Sequence, residues 1–329
     1  MSRGISSTCR KKGWRTYKAI AVFVFGLLAL LPFLAHAQNQ TPGQVAILHW
    51  YGANAVTTVG VGSTPYFVAF DGANIWVTNY SSNTVTKIRP NDCTVLGTYN
   101  VGQWPAGIAF DGANIWVANN GGSNVTKLRA SDGTVLGTFP VQTSPMGVAF
   151  DGNYIWVTNA GSNTVSKLAT NGSLIGNYPV GNAPIGILFD GQYVWVTNSS
   201  DNTVMRLTTS GAQINTASTG SHPVGLAFDG TYVYVTNEFG GTVTVFLDRN
   251  CYYIATLAVG TEPIGIAFDG LHLWVADGGS NAVSKITPDG SEAWSTSGPY
   301  PVGSFPVGVA SDGASIWVTN AYSNTVSKL

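Results

Sequence analysis

One ten-residue phrase constrains the fold of this chain more than any other feature, because it recurs through most of the sequence. Its first copy, Phe70–Asn79, reads FDGANIWVTN. Further copies begin at Phe110, Phe150, Phe189, Phe228, Phe268 and, in degraded form, Ser311. The aspartates at the second position of the phrase are spaced 40, 40, 39, 39, 40 and 43 residues apart. Such a period is typical of repeat architectures, in which each unit is one supersecondary structure, and it predicts seven units.

Each unit has the pattern of four short antiparallel strands. In the third unit, Gly147–Phe150 and Tyr154–Thr158 flank an Asp-Gly turn, while Thr164–Leu168 and Leu174–Val180 flank an Asn-Gly turn. These segments are rich in β-branched and aromatic residues, as strands are. A β-solenoid would need a shorter period, and an α-solenoid would need a helical periodicity that is absent. Four strands in about 40 residues form the blade of a β-propeller, so we predict an all-β, seven-bladed β-propeller.

The two ends of the repeat region predict how the ring closes. The last unit stops at Leu329, after its third strand. Before the first unit, Ala55–Gly62 matches the fourth-strand segment Thr134–Val141 in place and type. Without a partner, the last blade would expose an unpaired edge. We therefore expect the N-terminal strand to complete the last blade of a single domain at residues 55–329.

The first 37 residues have the features of a secretory signal peptide. They carry six Lys and Arg and no acidic residue, followed by the apolar run Ala19–Ala35 and the small-x-small triplet Ala35-His36-Ala37. This order predicts cleavage after Ala37, a short lead-in at residues 38–54, and a secreted or periplasmic protein without membrane association. The 17-residue apolar run is at the lower limit for a membrane span, so an uncleaved anchor is the alternative.

The charge that remains after cleavage limits the choice of partners. Nine basic side chains are left against 16 acidic ones, a net charge of −7. Nucleic-acid binding needs a basic face, so we exclude it. We expect a monomer whose partner is a protein or a glycan.

The repeat also resembles a known family. Ile-Trp-Val-Thr-Asn, followed by Ser-Asn-Thr-Val and Lys-Leu, is similar to the YVTN-type repeat of YncE-like β-propellers over about residues 55–329. The resemblance implies an exported propeller, distantly similar to NHL propellers and to the streptogramin (virginiamycin B) lyases.

The most repeated residues are predicted to be scaffold. The Asp-Gly pair of every unit forms a turn, since Asp caps it and Gly accepts a positive φ. A Pro-x-Gly sequence, as in Pro105–Gly107, leads into the crowded innermost strand. The tryptophan of the phrase, such as Trp76, is expected to pack between neighbouring blades.

Function is expected where the units differ from one another. The residues before each Pro-x-Gly are predicted to share one face near the axis, and the loop after the second strand lies on that face as well. On blades five and six this places four ionisable groups together: His222, Glu238, Glu262 and Asp277. One imidazole with carboxylates can bind a divalent cation, the one cofactor we consider, or transfer a proton. The alternative is that these charges are only hydrated. Trp104 and Phe305 are candidate aromatic contacts.

The resemblance to streptogramin lyases bears on this site. In that family a histidine before proline is followed one blade later by Glu-Pro-His and then by an acid that ends the second strand. His222, Glu262 and Asp277 occupy three of these places, but Ile264 stands where the second histidine belongs. Two functions therefore remain: a binding or structural scaffold that uses one face, or a lyase-like or metal-dependent enzyme with a site on blades five and six. The first is favoured, because Ile264 cannot carry a proton.

Overall fold

The computed structural model describes residues 56–290 and 292–329. The predicted signal peptide at residues 1–37 and the lead-in at residues 38–54 lie outside the described residues. Within them, helix is limited to three single 3₁₀ turns, at Glu238–Gly240, Asp248–Asn250 and Gly278–Ser280. None of these described helices is long and apolar enough to cross a membrane.

The described residues form seven four-stranded antiparallel sheets, which confirms the predicted seven-bladed propeller. Each innermost strand begins at a proline, which suits this position because the first residue of an edge strand need not donate a ladder hydrogen bond. Six of the seven innermost strands have a Gly two residues later, where neighbouring blades meet: a Cβ on Gly107 would clash with the carbonyl oxygen of Met146 in the next blade. The innermost strands of blades one to seven are β2 (Pro65–Phe70), β6 (Pro105–Phe110), β10 (Pro145–Phe150), β14 (Pro184–Phe189), β18 (Pro223–Phe228), β22 (Pro263–Phe268) and β26 (Pro306–Ser311).

The second strand of each blade carries the core. Trp76 is fully buried and packs against Val85 of its own blade and Ile115 and Val117 of the next, so the tryptophans do lie between blades. Its indole Nε1 donates to the turn carboxylate of Asp71 at 2.7 Å, which satisfies the one polar atom of the buried ring. The second strands are β3 (Ile75–Asn79), β7 (Asn114–Asn119), β11 (Tyr154–Asn159), β15 (Tyr193–Asn198), β19 (Tyr232–Asn237), β23 (Leu273–Asp277) and β27 (Ile316–Asn320).

In blades one to four and seven, the third strand is linked to the next blade by a long basic side chain. Lys87 lies opposite Trp76 in the sheet, with its ammonium 5.1 Å from the ring centroid. The ammonium donates to the carbonyl oxygen of Ala130 in blade two at 2.7 Å. The third strands are β4 (Thr84–Arg89), β8 (Asn124–Arg129), β12 (Thr164–Ala169), β16 (Thr203–Thr208), β20 (Thr242–Leu247), β24 (Ala282–Pro288) and β28 (Thr325–Lys328).

The outermost strand of the last blade comes from the other end of the chain. Thr57–Gly60 pairs antiparallel with β28, from Thr57 opposite Lys328 to Gly60 opposite Thr325, which confirms the predicted ring closure. The outermost strands of blades one to six are β5 (Thr94–Asn100), β9 (Val135–Pro140), β13 (Leu174–Pro179), β17 (Gln213–Ser218), β21 (Tyr252–Ala258) and β25 (Trp294–Pro301), and that of blade seven is β1 (Thr57–Gly60).

Strand order divides the ring into two faces. The turns between first and second strands and between third and fourth strands lie on one side, here the turn face. The loops between second and third strands, and those that enter each innermost strand, lie on the other side, here the loop face. The central channel holds a cavity of about 210 Å³ lined by glycine backbone and aliphatic side chains. At its loop-face end lies an apolar cluster, here called the apolar plug, that includes Tyr66, Ile185, Val224, Ile264 and Val307.

Candidate functional site

Seven side chains project from equivalent positions of the loop face on one repeated backbone. All seven precede proline and have a left-handed backbone, with φ between 49° and 56°. In blade five the N–H of His222 donates to Asn202 Oδ1 of blade four at 2.8 Å, and its carbonyl accepts the N–H of Glu238 at 2.9 Å. The backbone is therefore held on both sides while the side chain varies. The seven residues are Thr64, Trp104, Ser144, Ala183, His222, Glu262 and Phe305.

The sizes of these side chains make the face asymmetric. Blades three and four present small residues, such as Ser144, Ala160, Ala183 and Ser199. Blades five, six, seven, one and two are contiguous in the closed ring and present large ones. We call this arc the rim; its members are His222, Glu238, Phe239, Glu262, Phe305, Tyr322, Tyr80 and Trp104. The rim surrounds the apolar plug on one side and leaves it open over blades three and four.

In blade five the rim contains an imidazole–carboxylate pair. His222 Nδ1 lies 2.7 Å from Glu238 Oε2, although the oxygen is off the N–H direction, so the ring nitrogen makes no well-aligned hydrogen bond. The imidazole stacks on Phe239, with ring centroids 4.4 Å apart and an interplanar angle of 22°. Phe239 itself is 68% exposed. The structure thus brings together two of the four predicted ionisable residues.

Glu262 occupies the equivalent position of blade six and is exposed. Two glycines in the adjoining loop make room for it: a Cβ on Gly279 would lie 3.3 Å from Glu262 Oε2, and a Cβ on Gly278 would lie 3.4 Å from Phe305 Cε2. Among the described residues Glu262 has no ion-pair partner. Its carboxylate is therefore open to solvent, on the blade that precedes that of Phe305.

Asp277 is separated from the other three. It is fully buried, and its carboxylate accepts the Gly260 N–H at 3.1 Å and the Ser284 hydroxyl at 2.7 Å. Burial raises its pKa to about 6, against the lowering effect of these hydrogen bonds. Asp277 stands where the other six blades have asparagine, and its contacts lie within the scaffold. In the described part of the chain, no group of three His, Cys, Asp or Glu side chains could hold a metal ion. A bound divalent cation stays a prediction.

The predicted aromatic contacts have aromatic neighbours that sequence reasoning missed. Trp104 is 51% exposed and stacks on Tyr80 of blade one, with centroids 6.0 Å apart and planes at 13°. Phe305 stacks on Tyr322 at 4.6 Å and 20°, and Tyr322 is 69% exposed. The signal for Tyr80, Phe239 and Tyr322 was in the sequence: each stands one or two residues after Val-Thr-Asn, where most units have a small residue.

Tyr66 is a further residue that the sequence analysis did not select. It is the central residue of Pro65–Phe67, where other units have Pro-x-Gly with a non-aromatic apolar residue at x. Burial raises the pKa of Tyr66 to about 12, and the negative charge of Glu238 adds to the effect. The phenol of blade one therefore lies within the field of the blade-five carboxylate, at the mouth of the channel.

The basic side chains of the described residues are confined to one side of the ring, whereas acidic side chains occur on both. All nine Lys and Arg side chains between residues 56 and 329 arise from third strands or the turns that follow them: Lys87, Arg89, Lys127, Arg129, Lys167, Arg206, Arg249, Lys285 and Lys328. The loop face carries Asp201, Glu238 and Glu262 instead. It is thus acidic, and the described chain supplies no Lys or Arg to it.

No protein-family model and no curated protein sequence matches the chain. Several solved structures share its fold. A streptogramin B lyase structure is 20% identical with a TM-score of 0.70, over 83% of this chain and 96% of that one. A catalytically inactive His-to-Ala variant of virginiamycin B lyase from Staphylococcus aureus, solved with quinupristin, is 19% identical with a TM-score of 0.71, over 83% and 98%. Hydrazine synthase from Kuenenia stuttgartiensis is 18% identical with a TM-score of 0.71, over 81% and 95%.

These proteins differ in their names and share the architecture at identities of 20% or less. Such a likeness carries the fold and assigns no activity. The chain has the seven-bladed propeller fold of the streptogramin B lyases.

Proposed function

We propose that this protein is an exported binding propeller, secreted or periplasmic, that takes a protein or glycan ligand on its loop face. The observation that carries the proposal is the rim. Exposed aromatic and acidic side chains are gathered on five contiguous blades, whereas blades three and four carry only small residues at the same positions. Hydration of a soluble surface alone does not require stacked, exposed aromatic rings, and such patches mark interaction sites.

The ligand is held on the face and does not pass along the axis. Ile264 and Val307 are buried in the plug at the channel mouth, with 6% and 0% of their surface exposed. The plug forms an apolar floor, and the rim forms a wall around most of it. A ligand that enters over blades three and four would contact both.

A ligand screen on the mature protein tests this function. Glycans and peptides would be screened by thermal shift, since a ligand that binds only the folded state raises the melting temperature. Hits are expected to weaken in Trp104→Ala and Phe305→Ala. The matched control is Leu271→Ala, which removes a 73% exposed apolar side chain from the turn face. Hits that persist in both rim variants and weaken in the control would overturn the proposal.

Lyase-like catalysis is the second candidate, and the pair of His222 and Glu238 favours it, together with the fold shared with streptogramin lyases. The position where the resemblance calls for a second histidine is Ile264, whose side chain belongs to the apolar plug. An aliphatic side chain cannot carry a proton, so we expect no cleavage of a streptogramin B depsipeptide even with Mg²⁺. A linear product detected by mass spectrometry would establish the enzyme instead.

A further inference from the structure

We propose that the rim binds an organic cation, an ammonium or guanidinium group on a partly apolar body, with Glu262 and the Phe305–Tyr322 stack as its main subsite. The inference rests on the proposed loop-face function and names the chemistry of its ligand. Its support is the acidic charge of the loop face, together with aromatic rings over which none of the Lys and Arg side chains between residues 56 and 329 lies.

The loop face carries acidic side chains and none of the Lys and Arg side chains of the described residues. Glu238 and Glu262 lie on the rim and Asp201 lies on the same face in blade four. His222 is beside Glu238 and offsets that carboxylate when it is protonated. Glu262 has no such neighbour in the described chain. An acidic surface beside a low-dielectric apolar floor attracts positively charged ligands and repels anions.

The aromatic rings of the rim differ from those in the rest of the propeller in their neighbours. Elsewhere Lys and Arg side chains lie over aromatic rings: Lys87 is 5.1 Å from the Trp76 centroid, and Arg206 is 4.4 Å from that of Tyr193. The rings of the rim stack on one another, and no Lys or Arg between residues 56 and 329 reaches their faces. Exposed aromatic faces next to a carboxylate are the groups that hold ammonium and guanidinium ions.

The subsite on blades six and seven combines all three elements. A Cβ placed on Gly278 would be 3.2 Å from Ile264 Cδ1 and 3.4 Å from Phe305 Cε2, and the neighbouring Gly279 lies under the Glu262 carboxylate. The carboxylate therefore borders one glycine, and the aromatic ring and the apolar floor border the preceding one, so that all three flank two consecutive residues that have no side chain. An organic cation placed there would pair its charge with Glu262 and lay its apolar part on Ile264 and Phe305. A metal ion would gain nothing from the ring or the floor.

The test compares choline with its uncharged isostere 3,3-dimethylbutan-1-ol, at constant ionic strength. Binding to the mature protein is followed by saturation-transfer NMR. Choline is expected to bind about tenfold more tightly, since a cation–π contact with a carboxylate nearby is worth about 1–2 kcal/mol. Glu262→Gln and Phe305→Leu should each weaken choline binding about five- to tenfold while the protein stays folded.

The matched control is Glu292→Gln, which removes the same charge from the turn face and should leave choline binding unchanged. Equal binding of choline and the alcohol, or no choline binding up to about 50 mM, overturns the cation inference. If both probes bind equally and Phe305→Leu weakens both, loop-face binding stands and only the ligand class is wrong. Failure of the proposed function itself would show separately in the ligand screen, as hits whose binding is not weakened by the rim variants.

Discussion

The two faces of this ring are built from the same seven repeats, yet one is nearly constant and the other varies. On the turn face, Asp151 Oδ1 accepts the N–H groups of Asn153 and Tyr154 at 2.8 and 2.6 Å, and its Oδ2 accepts Trp156 Nε1 at 2.7 Å. Every blade repeats this arrangement, with Tyr234 in place of tryptophan in blade five. The aspartate side chain accepts the hydrogen bonds that hold the turn together. The turn therefore depends on this residue in every blade.

On the loop face the backbone is held by hydrogen bonds to groups outside the varying side chain. The backbone of Phe305 is bound by Asn281 Oδ1 of blade six and by the N–H of Ala321. With both backbone groups satisfied from elsewhere, any residue that tolerates a left-handed φ can occupy the site. The cost of that conformation for a non-glycine residue is about 1–2 kcal/mol. A repeat protein can therefore vary its surface only where its backbone does not depend on the side chain.

The largest test breaks the ring that both faces share. Deletion of residues 38–62 removes β1, and with it Val59, which packs against Trp317 and Val326. The last blade then exposes the edge of β28. We expect the melting temperature to fall by more than about 10 °C, with aggregation, because a core contact and four residue pairs of the ladder are lost together. Deletion of residues 38–54 alone retains β1 and is the control. An unchanged melting midpoint in the longer deletion would contradict closure by this strand.

A pair of substitutions in blade three compares the faces directly. Asp151→Ala leaves two backbone N–H groups and the buried Trp156 Nε1 without their acceptor, so it should cost about 3 kcal/mol of unfolding free energy. Ser144→Ala changes the equivalent loop-face position of the same blade and should cost less than about 0.5 kcal/mol. Urea titration of both variants measures the two values. Similar losses would show that the loop-face side chain also supports the backbone, and would contradict the difference between the two faces.

The architecture was predictable because its determinants are local and repeated. A 40-residue period, Asp-Gly turns and alternating β-branched residues specify blades without knowledge of any distant contact. Ring closure could be predicted because the sequence lacks one fourth strand at one end and has one extra at the other. Trp76 and its equivalents were correctly expected between blades, since a large ring on a central strand must pack against the next sheet.

The site was harder, because it depends on which loops meet. His222 and Phe239, and likewise Phe305 and Tyr322, are 17 residues apart, a spacing set by the full length of two strands and their turn. Only the observed register shows that residues at this spacing stack. Asp277 was grouped with the rim because it ends a second strand, but that side chain points into the blade. Ala282 stands where blade five has Thr242. This difference was the sequence signal that Asp277 is hydrogen-bonded differently from the asparagines of the other blades.

The smallest expected effect tests whether Asp277 belongs to the scaffold. In blade five, Asn237 Nδ2 donates to the hydroxyls of Thr242 and Thr244 at 3.0 and 2.9 Å. Blade six has Ala282 and Ser284 at these places, and the Ser284 hydroxyl instead donates to Asp277. Asp277→Asn restores the residue of the other blades and keeps an acceptor for the Gly260 N–H, while Ser284 can turn to accept from the new amide.

The pH dependence of Asp277→Asn follows from the raised pKa. The carboxyl titrates near pH 4 in the unfolded chain and at about 6 in the folded one. Between these values the folded state binds more protons, so the unfolding free energy of the wild type falls as pH rises from about 4 to about 6, and then stays level. The variant has no such loss. Relative to wild type it should match at pH 4 and gain about 2 kcal/mol above pH 6, with unchanged binding of choline. Asn237→Asp in blade five is the reverse control and should lose stability at pH 7. If Asp277→Asn lowers stability at pH 7, or abolishes choline binding in a folded protein, Asp277 acts at the rim and the separation of scaffold from site fails in blade six.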